Sequence, residues 1–142
     1  MSENLFAPRP RESAADHTNG DGPRVDRSQE ILNALLAFRD ARDWKQFHTP
    51  RQLAAALAIE ACELQQAMLW KTDAEVEAGL ADGTLKGELG DEIADVLSFA
   101  LLLAHDLGLD PVELIAGKLA RNEQRYPVDK SRGRATKYDK LT

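Results

Sequence analysis

Apolar residues recur along most of the chain at steps of three and four, which is the spacing of one helix face. Four segments carry this pattern, and they lie at about residues 28–43, 49–71, 85–107 and 110–126. No segment alternates apolar and polar residues with a period of two, so no strands are predicted. The pattern therefore predicts an all-α protein whose protomer is a four-helix bundle.

Residues that begin and end helices support these boundaries. Thr49-Pro50 and Asp110-Pro111 each place a capping side chain before a proline at the first helical position. Gln52 is positioned to complete a capping box with Thr49. Gly108 is placed to end the third helix, and Pro127 to stop the fourth. The glycine-rich connector between the second and third helices has room for one short helix, at residues 74–80.

The chain divides into three parts by composition. Residues 1–27 contain three of the six prolines and only scattered apolar residues, which predicts a disordered leader. Residues 28–127 form the helical domain, and residues 128–142 form a basic tail. The second helix carries five alanines between residues 54 and 61, and apolar stripes occur on several helices. Such surfaces suit close helix packing, so self-association is plausible on the residues alone.

Composition limits the classes of protein that remain. Cys62 is the sole cysteine among 142 residues, which excludes an intrachain disulfide and a cysteine-based zinc site. The sequence has neither a run of about 18 apolar residues nor a recognisable signal peptide, so we expect a cytoplasmic protein without a membrane partner.

Charge is unevenly distributed along the chain. The net charge is −6, the first 27 residues sum to −1 and residues 127–142 sum to +3, which leaves −8 on residues 28–126. An acidic body repels a phosphate backbone and makes nucleic acid an unlikely partner.

Four carboxylates occupy unusual positions for acidic residues. Glu60 and Glu63 are three residues apart on the second helix, and Glu92 and Asp95 repeat that spacing on the third. Glu60 and Glu92 lie on the apolar stripes, and neither helix offers a nearby lysine or arginine. If the two helices pack antiparallel, the four acids meet, and a cation among them would relieve their repulsion.

Oxygen ligands alone favour a hard cation, Mg²⁺ or Mn²⁺. No histidine falls three residues after a glutamate, which disfavours a di-iron centre. Magnesium in proteins is often shared between carboxylates and substrate phosphates. The competing interpretation is a solvated acidic face with no metal.

The fourth helix offers a complementary face. Lys118, Asn122 and Arg125 follow one another at steps of four and three, and could hold phosphate oxygens. Trp44 and Trp70 flank the second helix and could stack on a nucleobase. The alternatives are an ordinary solvated helix edge for the first set, and lids over a small core for the tryptophans.

Several motifs in this order resemble the all-α nucleoside triphosphate pyrophosphatases of the MazG type, and most closely the small dCTP pyrophosphatases. The resemblance covers about residues 28–141. The matching motifs are Phe38-Arg39-Asp40-Ala41-Arg42-Asp43-Trp44-Lys45-Gln46-Phe47-His48, Glu60-x-x-Glu63, Leu69-Trp70-Lys71, Asp91-Glu92-Ile93-Ala94-Asp95-Val96, Asn122 with Arg125-Tyr126-Pro127, and Ser131-Arg132-Gly133 followed by Lys137-Tyr138.

This resemblance implies a magnesium-dependent hydrolase that cleaves a nucleoside triphosphate to the monophosphate and pyrophosphate. It also implies a homotetramer built from dimers, with base pockets shared between subunits. The metal ligands would be Glu60, Glu63, Glu92 and Asp95. The substrate-binding residues would be Trp44, Trp70, Phe99, Lys118, Asn122, Arg125 and Tyr126.

Either Glu60 or Glu63 could be the catalytic base that accepts a proton from the attacking water. Leu35 and Phe99 stand where close eukaryotic relatives have a histidine and a tyrosine. This difference leaves dCTP or a modified dCTP as the expected substrate, without a strict preference. A non-catalytic helical assembly and a nucleotide-binding module remain the alternative functions.

Overall fold

The computed structural model describes residues 27–140, and in that range the regular structure is entirely helical. The all-α prediction is confirmed. The predicted leader lies outside the described residues except for Arg27, and the proposed domain boundaries stay predictions. The α-helices are α1 (Arg27–Asp40), α2 (Pro50–Gln66), α3 (Asp73–Ala81), α4 (Thr84–Asp106), α5 (Pro111–Arg125) and α6 (Val128–Ser131), with 3-10 turns at Trp44–Phe47 and Tyr138–Lys140.

The predicted helix starts at α2 and α5 are present, with one correction. The Thr49 hydroxyl accepts a hydrogen bond from the Gln52 N–H, and the Asp110 carboxylate accepts from the backbone N–H groups of Val112 and Glu113. The Gln52 side chain does not return a bond to Thr49, so the predicted capping box is only half formed.

The connector between α2 and α4 is more ordered than the sequence analysis predicted. Thr72 and Glu75 form a complete capping box, with the backbone N–H of each residue donating to the side chain of the other. This cap begins α3, which extends the predicted short helix by one residue at each end. Gly79 lies inside α3, where a Cβ atom would come 3.1 Å from the Leu85 Cβ. The glycine therefore permits close packing of α3 on α4.

Helix α4 is the centre of the packing. Its most extensive partner is α2, and α1 and α3 also pack against it. Within residues 27–140, the buried apolar side chains all come from α2, α4 and the turn that follows α2, and they are Leu53, Ala67, Leu85, Leu102 and Ala104. The four packed helices are thus α1 to α4, whereas the apolar pattern of the sequence predicts a bundle with the helix at about residues 110–126 in place of α3.

Helix α5 has no extensive packing partner among the described helices. Its apolar face is exposed along its length at Val112, Ile115 and Leu119, and Ile115 retains 70% of its possible exposure. Nothing in residues 27–140 covers this face. Among the same residues, no helix is both long and apolar enough to cross a bilayer.

In the described part of the chain, one charged side chain is buried against the core. Arg39 is 2% exposed at the end of α1, and its Nη1 donates to both Asp106 carboxylate oxygens, at 3.1 and 3.3 Å. Its Nε donates to Asp40 at 2.9 Å. Because Asp106 is the last residue of α4, this ion pair fixes the end of α1 to the end of α4.

Removal of the Asp106 carboxylate should destabilise the protein strongly. Asp106→Ala leaves the Arg39 guanidinium buried with one acidic partner lost, and we expect a loss of about 3 kcal/mol in the free energy of unfolding. Urea denaturation followed by circular dichroism measures it. The control is Lys137→Ala, which breaks the exposed ion pair with Asp139 and should cost less than about 0.5 kcal/mol. Equal losses in both variants would contradict this role of Arg39.

Candidate functional site

Two contacts show that α2 and α4 run antiparallel. His48, which immediately precedes α2, lies beside Phe99 in the second half of α4, with ring centroids 6.5 Å apart. Farther along α2, Glu60 and Glu63 lie beside Glu92, which comes earlier in α4. The antiparallel arrangement on which the sequence analysis depended is therefore present.

This packing gathers carboxylates from both helices into one cluster. Glu60, Glu63 and Glu92 each offer an oxygen, and these oxygens all lie within 4.8 Å of one another. Glu60 and Glu92 are half-buried, whereas Glu63 is exposed. Asp95 is exposed and lies outside this set of three, but it is close enough to act electrostatically on Glu60 and Glu92.

The cluster has no basic partner within the described part of the chain. No lysine or arginine of residues 27–140 forms an ion pair with any of the four acids. The Glu92 Oε2 atom is buried and has no hydrogen-bond partner there either. A buried carboxylate oxygen without a donor is costly, so this atom is poised to bind a cation.

The environment disfavours the charged forms of Glu60 and Glu92. Desolvation raises the pKa of Glu60 above its usual value of 4.5, and repulsion from Glu63, Asp95 and Glu92 raises it further. Desolvation likewise raises the pKa of Glu92, with added repulsion from Glu63 and Asp95. The pKa values of both glutamates are thus raised because negative charge accumulates here without a compensating positive group.

A divalent cation fits this cluster. The donors are all carboxylate oxygens, at mutual distances that one ion can bridge, and they lack the nitrogen and sulfur ligands typical of zinc or copper sites. Hard cations such as Mg²⁺ and Mn²⁺ prefer such oxygen donors. Glu60, Glu63 and Glu92 are the residues that could hold the ion, and Asp95 is near enough to add a fourth carboxylate.

Beyond the carboxylates, a cluster of rings lies against the second half of α4. We call Phe38, Trp44, His48 and Phe99 the ring cluster. The Trp44 ring is 5.9 Å from that of Phe38 and 6.5 Å from that of His48, which in turn is 6.5 Å from Phe99. Phe99 follows Asp95 by one helical turn, so the ring cluster adjoins the acids. Two predicted site residues, Trp44 and Phe99, are thus brought together.

Trp70 is not part of the ring cluster. It is 93% exposed, and its ring contacts no other ring among the described residues. Its backbone is left-handed, with φ of 65°, at the end of the turns that follow α2. A bulky residue seldom adopts this conformation, which is typical of strained functional positions. The indole ring of Trp70 therefore projects into solvent from this backbone conformation.

The predicted phosphate-binding residues lie on α5, a helix without extensive contacts to α2 or α4. Lys118 and Asn122 line a shallow groove together with apolar side chains of the exposed α5 face. At the end of α5, the Arg125 guanidinium lies 4.8 Å from the centre of the Tyr138 ring, and Tyr126 makes an edge-to-face contact with the same ring. Within the described part of the chain, neither Lys118 nor Arg125 forms an ion pair with any of the acids.

Two residues in these surroundings escaped the sequence analysis as individual candidates. His48 belongs to the ring cluster, and Tyr138 contacts Arg125. The signal for His48 was its position directly before the Thr49 cap, where the chain enters α2. Tyr138 had no signal beyond its motif, because it is 13 residues from Arg125 in an irregular tail.

Comparison with known proteins identifies relatives. The model of the MazG-like family matches residues 55–141. The chain is 40% identical over 113 residues to dCTP pyrophosphatase 1 of Rattus norvegicus and 36% identical to that of Homo sapiens. Each match covers 80% of this chain and 66% of the relative, so the chain spans just under two thirds of the length of these relatives.

A solved structure shares the fold. The crystal structure of a pyrophosphatase from Archaeoglobus fulgidus superimposes with a TM-score of 0.69 at 34% sequence identity. The match covers 76% of this chain and 99% of the archaeal chain.

Neutralising Glu92 should stabilise the metal-free protein at neutral pH. The pKa values of Glu60 and Glu92 are raised on folding, so the stability that these groups contribute is present at low pH and is lost as the pH rises above about 4.5. In EDTA, Glu92→Gln should therefore melt at a higher temperature than the wild type at about pH 7, and the difference should vanish near pH 4.

The control is Glu77→Gln, an exposed acid on α3 outside the cluster. Its melting temperature should follow that of the wild type at both pH values. Addition of Mg²⁺ should raise the melting temperature of the wild type much more than that of Glu92→Gln. A Glu92→Gln variant that melts below the wild type in EDTA at neutral pH would contradict the electrostatic strain.

Proposed function

The chain belongs to the MazG-like family, and on this basis we propose that it is a nucleoside triphosphate pyrophosphatase that acts on dCTP or a modified dCTP. The observation that carries this proposal is the convergence of Glu60, Glu63 and Glu92 without a basic partner. Similarity to proteins named dCTP pyrophosphatase 1 supports the choice of substrate. The leaving product is pyrophosphate, and the retained product is the monophosphate.

In this proposal Glu60, Glu63, Glu92 and Asp95 hold Mg²⁺, with Mn²⁺ as a substitute. The bound cation would offset the charge of the phosphates and lower the pKa of a nearby water. The half-buried Glu60 and Glu92 fix their carboxylates between two packed helices, whereas Glu63 and Asp95 lie at the exposed edge from which a triphosphate approaches. The cation would thereby allow a negatively charged substrate to bind at a negatively charged site.

Hydrolysis then requires a base for the attacking water. A water oxygen attacks the α-phosphorus, the bond from that phosphorus to the bridging oxygen of the pyrophosphate breaks, and the proton of the water passes to a carboxylate. Glu60 and Glu63 are the two candidates for this base.

The nucleobase and the phosphates of the substrate need contacts from other parts of the protein. Trp44 and Phe99 supply ring faces beside the acids. Stacking on aromatic rings binds a nucleobase with little dependence on the type of base. In the proposal Trp70 and Tyr126 complete the substrate site. Lys118, Asn122 and Arg125 bind the triphosphate.

Because α5 has no extensive contact with the helices that carry the carboxylates of its own chain, we propose that self-association completes the site. The exposed apolar side chains of α5 give the copies a surface on which to pack. We propose a homotetramer, built as a dimer of dimers with substrate pockets shared between subunits. It would both complete the site and cover the exposed apolar side chains of α5. The proposal also includes a cytoplasmic location without a membrane partner. It excludes nucleic acid as a partner, since residues 28–126 carry a net charge of −8.

Product analysis tests the reaction directly. Purified protein is incubated with a panel of canonical and modified nucleoside triphosphates, with and without Mg²⁺, and the products are separated by anion exchange. We expect monophosphate and pyrophosphate, only with the metal and fastest with cytosine nucleotides. Diphosphate with orthophosphate would overturn the reaction type. If no substrate is turned over, a binding module or a helical assembly replaces the enzyme.

Loss of one carboxylate should abolish turnover without unfolding the helices. Glu63→Gln and Asp95→Asn keep the side-chain shapes but remove a charged ligand, and we expect kcat/KM to fall more than about 100-fold, beyond what an outer-sphere change costs. The matched control is Glu77→Gln, which should retain full activity. Circular dichroism verifies folding. Retained turnover in either variant at the acids would contradict the proposed metal site.

A charge on the apolar face of α5 should dissociate the oligomer. Ile115→Asp places a carboxylate where we propose that a second copy packs, and light scattering should show particles smaller than four 15.7 kDa chains. Turnover should fall at least about tenfold, because the proposed site is then incomplete. Gln124→Asp adds the same charge to the opposite face of α5 and serves as the control. An Ile115→Asp protein of unchanged mass would contradict this interface.

A further inference from the structure

The chain that follows α5 is tied back onto the end of that helix. The Ser131 hydroxyl in α6 donates to the carbonyl oxygens of Tyr126 and Pro127, at 3.2 and 2.8 Å. Gly133 then has a φ of 71°, in the left-handed region that favours glycine, which permits a sharp change of direction. Beyond this turn, Tyr138 lies against the C-terminal end of α5.

Tyr138 contacts two consecutive residues of that end. Its ring centre is 4.8 Å from the guanidinium carbon of Arg125, and its ring meets that of Tyr126 edge-to-face at 6.0 Å and 84°. A 3-10 turn fixes its backbone, because the Lys140 N–H donates to the Lys137 carbonyl oxygen at 2.9 Å. The ring of Tyr138, and not its hydroxyl, makes both contacts with α5.

The Arg125 guanidinium is held without the use of its hydrogen-bond donors. No carboxylate of residues 27–140 forms an ion pair with it. An aromatic face attracts a guanidinium through the electron density of the ring, which leaves the N–H groups free. A carboxylate partner would instead occupy the fork of donors that binds phosphate oxygens. Contact with Tyr138 therefore restrains Arg125 and keeps it available to an anion.

We propose that Tyr138 is a positioning residue, whose ring orients Arg125 toward the phosphates of the substrate. This inference rests on the proposed function, in which Arg125 binds the triphosphate. A long side chain that is ordered only on binding loses its conformational freedom at that step, which weakens affinity. Because Tyr138 already restrains the guanidinium in the free protein, less freedom is lost when the triphosphate arrives.

The alternative role for Tyr138 is to fasten the C-terminal segment to the helical domain. The rings of Tyr138 and Tyr126 keep 40% and 37% of their possible exposure, so their contact buries little apolar surface. A fastening role predicts that loss of the ring lowers the melting temperature. It also predicts that the effect on activity does not depend on Arg125. The positioning role predicts the opposite on both counts.

The first test compares two substitutions of Tyr138. Tyr138→Leu keeps apolar bulk but removes the aromatic face, and Tyr138→Phe keeps the face. We expect Tyr138→Leu to raise the KM for dCTP about fivefold with kcat unchanged, while Tyr138→Phe matches the wild type. Thr136→Ala, at an exposed and uncharged position of the same segment, is the control and should also match it. An unchanged KM in Tyr138→Leu, or an equal rise in Tyr138→Phe, would overturn the proposal.

A double-mutant cycle then tests whether Tyr138 acts through Arg125. In an Arg125→Gln protein the guanidinium is absent, so the addition of Tyr138→Leu should leave kcat/KM for dCTP unchanged. The melting temperature of Tyr138→Leu should equal that of the wild type. A further fivefold loss in the Arg125→Gln background, or a clearly lower melting temperature, would each show a fastening role and overturn the proposal.

If the wild type hydrolyses no nucleoside triphosphate, the proposed function fails, and binding decides the role of Tyr138. The probe is inorganic triphosphate with Mg²⁺, measured by titration calorimetry. Weaker binding to Tyr138→Leu than to Tyr138→Phe supports the orientation of Arg125 toward a chain of phosphates. Equal affinities of the two variants, or no binding to the wild type, would overturn it.

Discussion

The packing of α2 against α4 forces carboxylates together, and the rest of the site depends on how that repulsion is relieved. Glu60 and Glu92 lie on the faces that the two helices use to build the core, so separating their charges would also separate the helices. The apolar contacts at Leu53 and Leu102 hold the acids in place. Burial of this apolar surface thus opposes an electrostatic cost that a bound cation would remove.

The same antiparallel contact organises the region next to the acids. Because α2 and α4 are antiparallel, His48 just before α2 and Phe99 in the second half of α4 lie on the same side of the acids. A charged end and an aromatic end therefore lie side by side on one helix pair. The Arg39–Asp106 ion pair extends this order to α1, and so places Phe38 beside Trp44. A nucleotide has the same polarity, with charge at one end and a flat ring at the other.

Local patterns predicted most of the fold, and long-range contacts account for what they missed. Helix periodicity fixes which residues share a face, so the sequence places Glu60 and Glu92 on apolar stripes and Glu63 beside them. Their convergence follows once the two helices are known to pack antiparallel. The Thr72–Glu75 capping box was a readable signal for α3 that the neighbouring glycines obscured. Arg39 lies on the apolar stripe of α1, but its acidic partner is 67 residues away and no local rule identifies it.

The position of α5 shows what the sequence of one chain does not predict. Its sequence has a clear apolar stripe and a clear polar edge, yet the described chain leaves the stripe exposed at Val112 and Ile115. An amphipathic helix is stabilised mainly by what its apolar face packs against. If that partner is another copy, then the position of Lys118 and Arg125 relative to the acids is a property of the assembly. Side chains on the polar edge of α5 are then placed by the contact that buries its apolar face, so that folding, association and completion of the site are coupled.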